Sequence, residues 1–160
     1  MRFAFRIMGI VMAVASGALF AASAEEMAKN RINFMEDEVG AQWKVLAAYS
    51  KGKGSLTDVE KSAMALSNLA KKIPANFPKG SGRGDVPDHI TRALPEIWTD
   101  PQGFQKSTQN FAEQSAKLAS LAKAGDKDAV LAMIGTGGYN SAKIGCGECH
   151  KQFRGERVKK

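Results

Sequence analysis

The sequence is poor in cysteine, histidine and proline, and beyond its N-terminus it has no long hydrophobic run. Its 160 residues include two cysteines, two histidines and five prolines. Two cysteines cannot build a disulfide scaffold, and a four-ligand zinc site would need all four of these soft ligands at one ion. Four of the five prolines lie between Pro74 and Asp100, so the rest of the chain is free to form long helices.

The charge of the chain is basic and evenly spread. The net charge is +7 at pH 7, and the only basic cluster is the tail at 154–160. This distribution is typical of a soluble surface and does not indicate a nucleic-acid partner. A basic rim can, however, steer an acidic protein, so an acidic partner protein is a candidate.

The N-terminus has the three parts of a secretory signal peptide. Arg2 and Arg6 precede the apolar segment 7–20, and Ala22-Ser-Ala24 forms an A-x-A cleavage site. An uncleaved anchor is disfavoured because the segment is shorter than the ~20 apolar residues that span a bilayer. We predict cleavage after Ala24, export to the periplasm, and one domain over residues 25–160 with no membrane span.

Apolar residues recur at three- and four-residue steps in four segments, which predicts four helices. The first covers 26–50, the second runs from the cap Ser55 to Pro74, the third from the cap Asp100 to Gly125, and the fourth follows Asp126. There is no strand-like alternation and no internal repeat. The predicted fold class is therefore all-α, a four-helix bundle with a long loop, 74–100, between the second and third helices.

The fourth helix has to bring the C-terminal cysteines into this bundle. Gly135, Gly137 and Gly138 weaken it, because each glycine in a helix interior costs up to about 1 kcal/mol relative to alanine. The spacing predicts a break at these glycines or the close approach of a flat group.

The segment Cys146-Gly-Glu-Cys149-His150 carries the chemistry of the chain. A disulfide between cysteines this close would restrict the unfolded chain little, so a stabilising disulfide does not explain their presence. One helical turn places both sulfurs on the same side and carries the next residue beneath them. The pattern predicts one haem c per chain, attached covalently through Cys146 and Cys149, with His150 as the proximal iron ligand.

Two other uses of this segment are weaker. A thioredoxin-like redox pair belongs at a strand-to-helix turn, and the chain shows no β-α-β pattern. A zinc site would need His89 as its fourth ligand, and His89 lies far away in the proline-rich loop. The same separation disfavours a haem held by two histidines.

These residues resemble the class II c-type cytochromes, which include cytochrome c-prime and its low-spin relatives. The resemblance rests on the C-terminal position of the cysteine motif and on Phe153-Arg154, which follow it in the family's Cys-His-x-x-aromatic-Arg arrangement. Pro95-Glu-Ile-Trp98 and the Arg31-x-x-x-Met35 segment support it. The resemblance implies an antiparallel four-helix bundle, often a homodimer, that transfers electrons or binds diatomic gases.

Met35 decides between these two functions, according to the resemblance. In the family, the residue four positions after the first-helix arginine faces the distal side of the haem, where aliphatic residues leave iron five-coordinate and methionine can bind it. A methionine ligand favours the low-spin branch, a one-electron carrier and not an enzyme. The alternative is a five-coordinate protein that binds nitric oxide or carbon monoxide, with Met35 only filling the core. In the family a glycine usually lies four residues after this position, whereas Gly40 lies five residues after Met35. A shift of the helix register by one residue would make Phe34 the distal neighbour instead.

The resemblance also suggests roles for other residues near the cofactor. Arg31 either pairs with a haem propionate or is a solvated arginine at a helix end. Phe153 is expected to pack on the haem edge, and Arg154 to lie near His150, where its charge disfavours an imidazolate. Trp43 and Trp98 are expected to be core or loop anchors, and Met64 to lie in the core.

Overall fold

The structure, a computed structural model, describes residues 22–159 as an antiparallel bundle of four helical stretches, which confirms the predicted fold class. These residues form no β-strand and only two isolated β-bridges. No helix among them is long and apolar enough to cross a membrane. Residues 1–21 of the predicted signal peptide lie outside the described part of the chain.

The first stretch is a continuous helix with a wide turn in its middle. It consists of α1 (Ala24–Asn33), a π-helical segment (Phe34–Val39) and α2 (Gly40–Tyr49). In the wide turn the Gly40 N–H donates to the Met35 carbonyl, five residues earlier. A π-turn holds one residue more than an α-turn. It therefore accounts for the five-residue spacing between Met35 and Gly40, and Phe34 and Val39 at its two ends are both buried.

The centre of the bundle is the contact between α3 (Leu56–Ala70) and α5 (Pro101–Lys123). Both helices begin where the sequence predicts, because Ser55 and Asp58 form a reciprocal capping box and the Asp100 carboxylate accepts from the Gly103 N–H. The buried apolar residues of the two helices are Val59, Ala63, Leu66, Ala70, Phe104, Phe111, Ala112, Leu118, Ala119 and Ala122.

The expectation that Met64 lies in the core is wrong. Its side chain is 48% exposed. It follows the buried Ala63 directly, and neighbouring residues on an α-helix point about 100° apart, so the apolar stripe of α3 leaves it outside.

The long loop contacts both the first and the last helix of the bundle. It contains a short 3-10 turn (Pro74–Asn76) and α4 (Glu96–Thr99). Its Ser81 accepts a hydrogen bond from Arg31 of α1, and its Leu94 N–H donates to the carbonyl of Phe153, 3.1 Å away. Trp98 anchors the loop on itself through a 2.9 Å bond from its Nε1 to the carbonyl of Phe77.

The fourth stretch is broken, as its glycines suggest. Helix α6 (Lys127–Ile134) ends at Gly135, which has a positive φ of 67°, and α7 (Cys146–Phe153) begins after Gly145, with φ 94°. The intervening segment, 135–145, is called the proximal loop below. The fourth helix therefore does not run on to the cysteines, which lie on a short helix of their own.

Candidate functional site

The two cysteines lie one turn apart on α7 and are free thiols. Each is half-buried and packs against the edge of the hydrophobic core. Gly145 caps this helix, and a Cβ there would make tight contacts with the Asn110 side chain at 3.0 Å and the Phe111 backbone at 3.3 Å, both in α5. This close contact between α5 and α7 holds both sulfurs at the surface of the bundle core.

A cavity of about 50 Å³ lies beside these sulfurs. It is lined by Met35, Val39, Ile73, Ser107, Thr108, Phe111, Gly145, Cys146, Cys149 and His150. Cavities that hold whole organic ligands measure about 300–1,000 Å³, so this one is only a small cleft between the side chains that line it. The structure thus brings Met35, from the other end of the sequence, to the cysteines and the histidine.

Burial keeps both thiols protonated. Removal from water raises the pKa of Cys146 to about 12, helped by the neighbouring Cys149, and burial raises the pKa of Cys149 to about 11. Cysteines that act as redox catalysts have a lowered pKa, because the thiolate is the reactive form. The site is therefore unlike that of a dithiol oxidoreductase.

His150 is neutral at the site. Burial lowers its pKa to about 4, with a smaller contribution from the positive charges of Arg154 and Arg92. Its Nδ1 lies 3.2 Å from the side-chain oxygen of Asn140. A neutral imidazole with one nitrogen in a hydrogen bond keeps the lone pair of the other nitrogen for a metal.

Arg154 lies next to this histidine without touching a carboxylate in the described residues. It donates to the hydroxyl of Tyr139 at 3.2 Å and to the Asn140 side-chain oxygen at 3.3 Å, and its guanidinium lies over the Tyr139 ring. The Tyr139 ring in turn meets the His150 ring edge-on, with centroids 5.3 Å apart.

The remaining predicted residues lie around the site rather than in its lining. Arg31 is 3% exposed, so it is not a solvated arginine. Phe153 is buried edge-on against Phe104, at 5.2 Å between centroids. Phe34 belongs to the core and does not line the cavity, whereas Met35 and Val39 of the same helical stretch do. His89 is exposed on the long loop.

The groups in the site suit haem c. Two free thiols on one helix face, a neutral imidazole and an apolar wall meet at one cavity. These are the groups that thioether attachment and iron ligation require. A zinc site has no comparable support, because residues 22–159 contain no cluster of three or more His, Cys, Asp or Glu side chains placed to hold a metal ion.

Comparison with known proteins agrees with this assignment. The family model described as Cytochrome C' matches residues 26–154. The chain belongs to the cytochrome c' family. As a member of that family it is a haem protein, and the resemblance seen in its motifs is confirmed at this level.

Two relatives in the family align with nearly the whole chain. Cytochrome c' of Rhodopseudomonas palustris is 31% identical over 157 residues, covering 95% of this chain and 97% of the relative. Cytochrome c' of Cereibacter sphaeroides is 31% identical and covers 94% of this chain and 97% of its own. These relatives do not support the low-spin, methionine-ligated branch suggested by Met35.

Solved structures of the family have the same fold. A cytochrome c' from Rhodobacter sphaeroides superposes with a TM-score of 0.69 at 30% identity, covering 85% of this chain and all of that one. A nitric oxide complex of a mutant cytochrome c prime from Alcaligenes xylosoxidans gives 0.65 at 25% identity, covering 85% of this chain and 98% of that one.

The residues that surround His150 are not predicted by the sequence. Asn140, Tyr139 and Arg92 approach it from two loops, and no spacing pattern links them to the cysteine motif. The signal that was present is the glycine cluster at 135–138. It predicts an interruption of the fourth helix but does not show which side chains the interruption brings to the histidine.

Proposed function

We propose that the chain carries one haem c, attached through Cys146 and Cys149 with His150 as the proximal ligand, and that it binds diatomic gases such as nitric oxide or carbon monoxide. The observation that carries the proposal is the cavity in which these three side chains meet an apolar wall. Family membership supports it, as does the nitric oxide complex of a structural relative.

Each side chain has a distinct task in this proposal. The haem, when bound, supplies an iron that takes up a gas molecule or exchanges one electron. The sulfurs of Cys146 and Cys149 hold it to α7, and the neutral ring of His150 donates its free nitrogen. Met35, Val39 and Phe111 form the apolar wall, which excludes water and limits the size of what enters.

A second candidate function is one-electron transfer with Met35 as the sixth ligand. It is favoured by the position of Met35, which the π-turn places on the cavity together with His150. A thioether ligand raises the reduction potential and closes the iron to gases. In this case a redox partner protein, attracted by the basic surface, would replace the gas.

An absorption spectrum in both oxidation states separates the two functions. For the gas binder we expect high-spin bands and a reduced form that binds carbon monoxide, with faster binding in Met35→Ala because the covering side chain is gone. Low-spin bands and no carbon monoxide binding until Met35 is replaced would contradict gas binding and support the electron carrier. Met64→Ala is the matched control, since Met64 is exposed on α3 and should change neither result.

We further propose that the protein acts in the periplasm after removal of residues 1–24, as a binding protein and not an enzyme. The support is the basic, apolar and A-x-A order of its N-terminus. N-terminal sequencing of the periplasmic form checks this, with Glu25 expected as the first residue. A homodimer is also part of the proposal, and sedimentation of the holoprotein tests it.

A further inference from the structure

The proximal loop packs directly on the helix that carries the cysteines. A turn closed by a 3.1 Å bond from the Ser141 N–H to the Gly138 carbonyl presents Tyr139 and Asn140 toward α7. The backbone carbonyl of Asn140 lies so close to Gly147 that a Cβ at position 147 would collide with it. Glycine at this place in the motif therefore lets the loop reach His150.

The contacts around Asn140 define which nitrogen of His150 carries the proton. Arg154 donates to the side-chain oxygen of Asn140, and a guanidinium can only donate, so this atom is the amide oxygen. The same oxygen lies 3.2 Å from Nδ1 of His150, and an amide oxygen can only accept. Nδ1 is therefore the N–H donor, and Nε2 keeps its lone pair.

Tyr139 supports this arrangement from the other side. Its ring meets the His150 ring edge-on, and it also meets Trp43 of α2 edge-on at 6.2 Å between centroids. Arg154 lies over the same ring. The proximal loop is thus held between the first helical stretch and α7, and Asn140 is fixed in place.

We infer that Asn140 is a positioning residue for the axial ligand: its side-chain oxygen accepts the Nδ1–H of His150, orients the imidazole and tunes its strength as an iron ligand. A hydrogen bond from the outer N–H of a ligating histidine fixes its ring and makes it a stronger base. Arg154 donates to the same oxygen and so weakens the hydrogen bond that this oxygen accepts from His150. The inference rests on the proposed ligation of iron by His150.

Opposite changes at position 140 test the inference. Asn140→Ala removes the acceptor, so we expect the iron–histidine stretching band of the ferrous protein to fall in frequency and the reduction potential to rise. Asn140→Asp supplies a stronger, charged acceptor, so the band should rise and the potential should fall. A side chain that only stabilised the loop would not shift the band in opposite directions.

Ser141→Asp is the matched control for added charge. It places a carboxylate one residue further along the same loop, where the native side chain is exposed and donates to the Gly138 carbonyl. It should leave the iron–histidine band unchanged. All variants are also made with Met35→Ala, so that the band is measured on five-coordinate iron whether or not Met35 binds it.

Gly147→Ala is a second, independent test. The added methyl group should push Asn140 away and shift the band in the same direction as Asn140→Ala, whereas Glu148→Ala, at an exposed position, should not. An unchanged band in Asn140→Ala, or equal bands in Asn140→Asp and Ser141→Asp, would overturn the inference.

Failure of the proposed function looks different from failure of this inference. If the denatured wild-type chain carries no covalent haem, the proposed function is wrong. If it carries haem but the frequency of the iron–histidine band does not change with the residue at position 140, only the role of Asn140 is wrong. Covalent haem is measured in every variant, and Asn140→Asp, which keeps the side-chain size, carries the test if Asn140→Ala binds little haem.

Discussion

Arg31 shows how a single residue joins distant parts of the chain. Its guanidinium is buried and donates to the Ser81 carbonyl at 2.8 Å and to the Thr91 hydroxyl at 2.7 Å, and it lies over the Phe77 ring. Among the described residues its hydrogen-bond partners are neutral, and burial lowers its pKa to about 10. A buried charge persists only where hydrogen bonds replace its water, and the long loop provides them.

Replacing Arg31 should therefore loosen the long loop. In Arg31→Ala, the buried Ser81 carbonyl loses its donor and the buried Thr91 hydroxyl keeps only the Ala93 N–H, so we expect the free energy of unfolding to fall by about 2–4 kcal/mol. Urea unfolding followed by circular dichroism measures this. Lys29→Ala is the control on the same helix. Its exposed pair with Glu25 should contribute less than about 0.5 kcal/mol, and equal losses in the two variants would contradict this account.

At the residue scale, the sequence predicts groups whose chemistry is contained in one short segment. Cys146, Cys149 and His150 lie within five consecutive residues, so their joint use can be derived from the motif alone. The partners of Arg31 lie 50 and 60 residues away, in a loop without periodicity. No local pattern links them, because only the folded loop brings them together.

At the scale of elements, the helices follow from periodicity and caps, but the π-turn does not. Ser55 and Asp100 mark helix starts through side-chain bonds to nearby N–H groups, which depend only on local sequence. The π-turn extends over only Phe34–Val39, too short a segment to disturb the apolar pattern on either side. Its one visible trace is the five-residue step from Met35 to Gly40.

If the π-turn is one inserted residue, removing one exposed residue from it should be tolerated. Deletion of Asp37 would restore α-helical spacing while α1 and α2 each keep their packed face, so we expect a change in stability under about 1 kcal/mol. Thermal unfolding followed by circular dichroism measures it.

Deletion of Lys44 in α2 is the matched control. It also removes one exposed residue, but it would rotate the fully buried Leu46 away from the core and cost at least about 2 kcal/mol. Similar losses in the two deletions would mean that the wide turn is not an insertion.

At the scale of the whole molecule, the site connects parts of unequal stability. One wall comes from the long helical stretches at the centre of the bundle, while the cysteines and His150 lie on α7, a helix of eight residues. Helices shorter than about 12 residues are marginal by themselves in water. Helix α7 depends on its contacts with α5 and the long loop, and in the proposed holoprotein also on two thioether bonds.

Removing the cofactor should therefore release one end of the molecule and leave the rest folded. In the double variant Cys146→Ser/Cys149→Ser, purified without haem, we expect fast hydrogen–deuterium exchange in residues 135–153 and continued protection of α3 and α5, whose mutual contact needs no cofactor. In the holoprotein both regions should be protected, because the haem ties α7 to the cavity wall. Mass spectrometry of peptic fragments resolves the two regions in one experiment. Equal protection of 135–153 with and without haem would show that packing alone holds α7 in place, and loss of protection in α3 and α5 would show that the bundle itself depends on the cofactor.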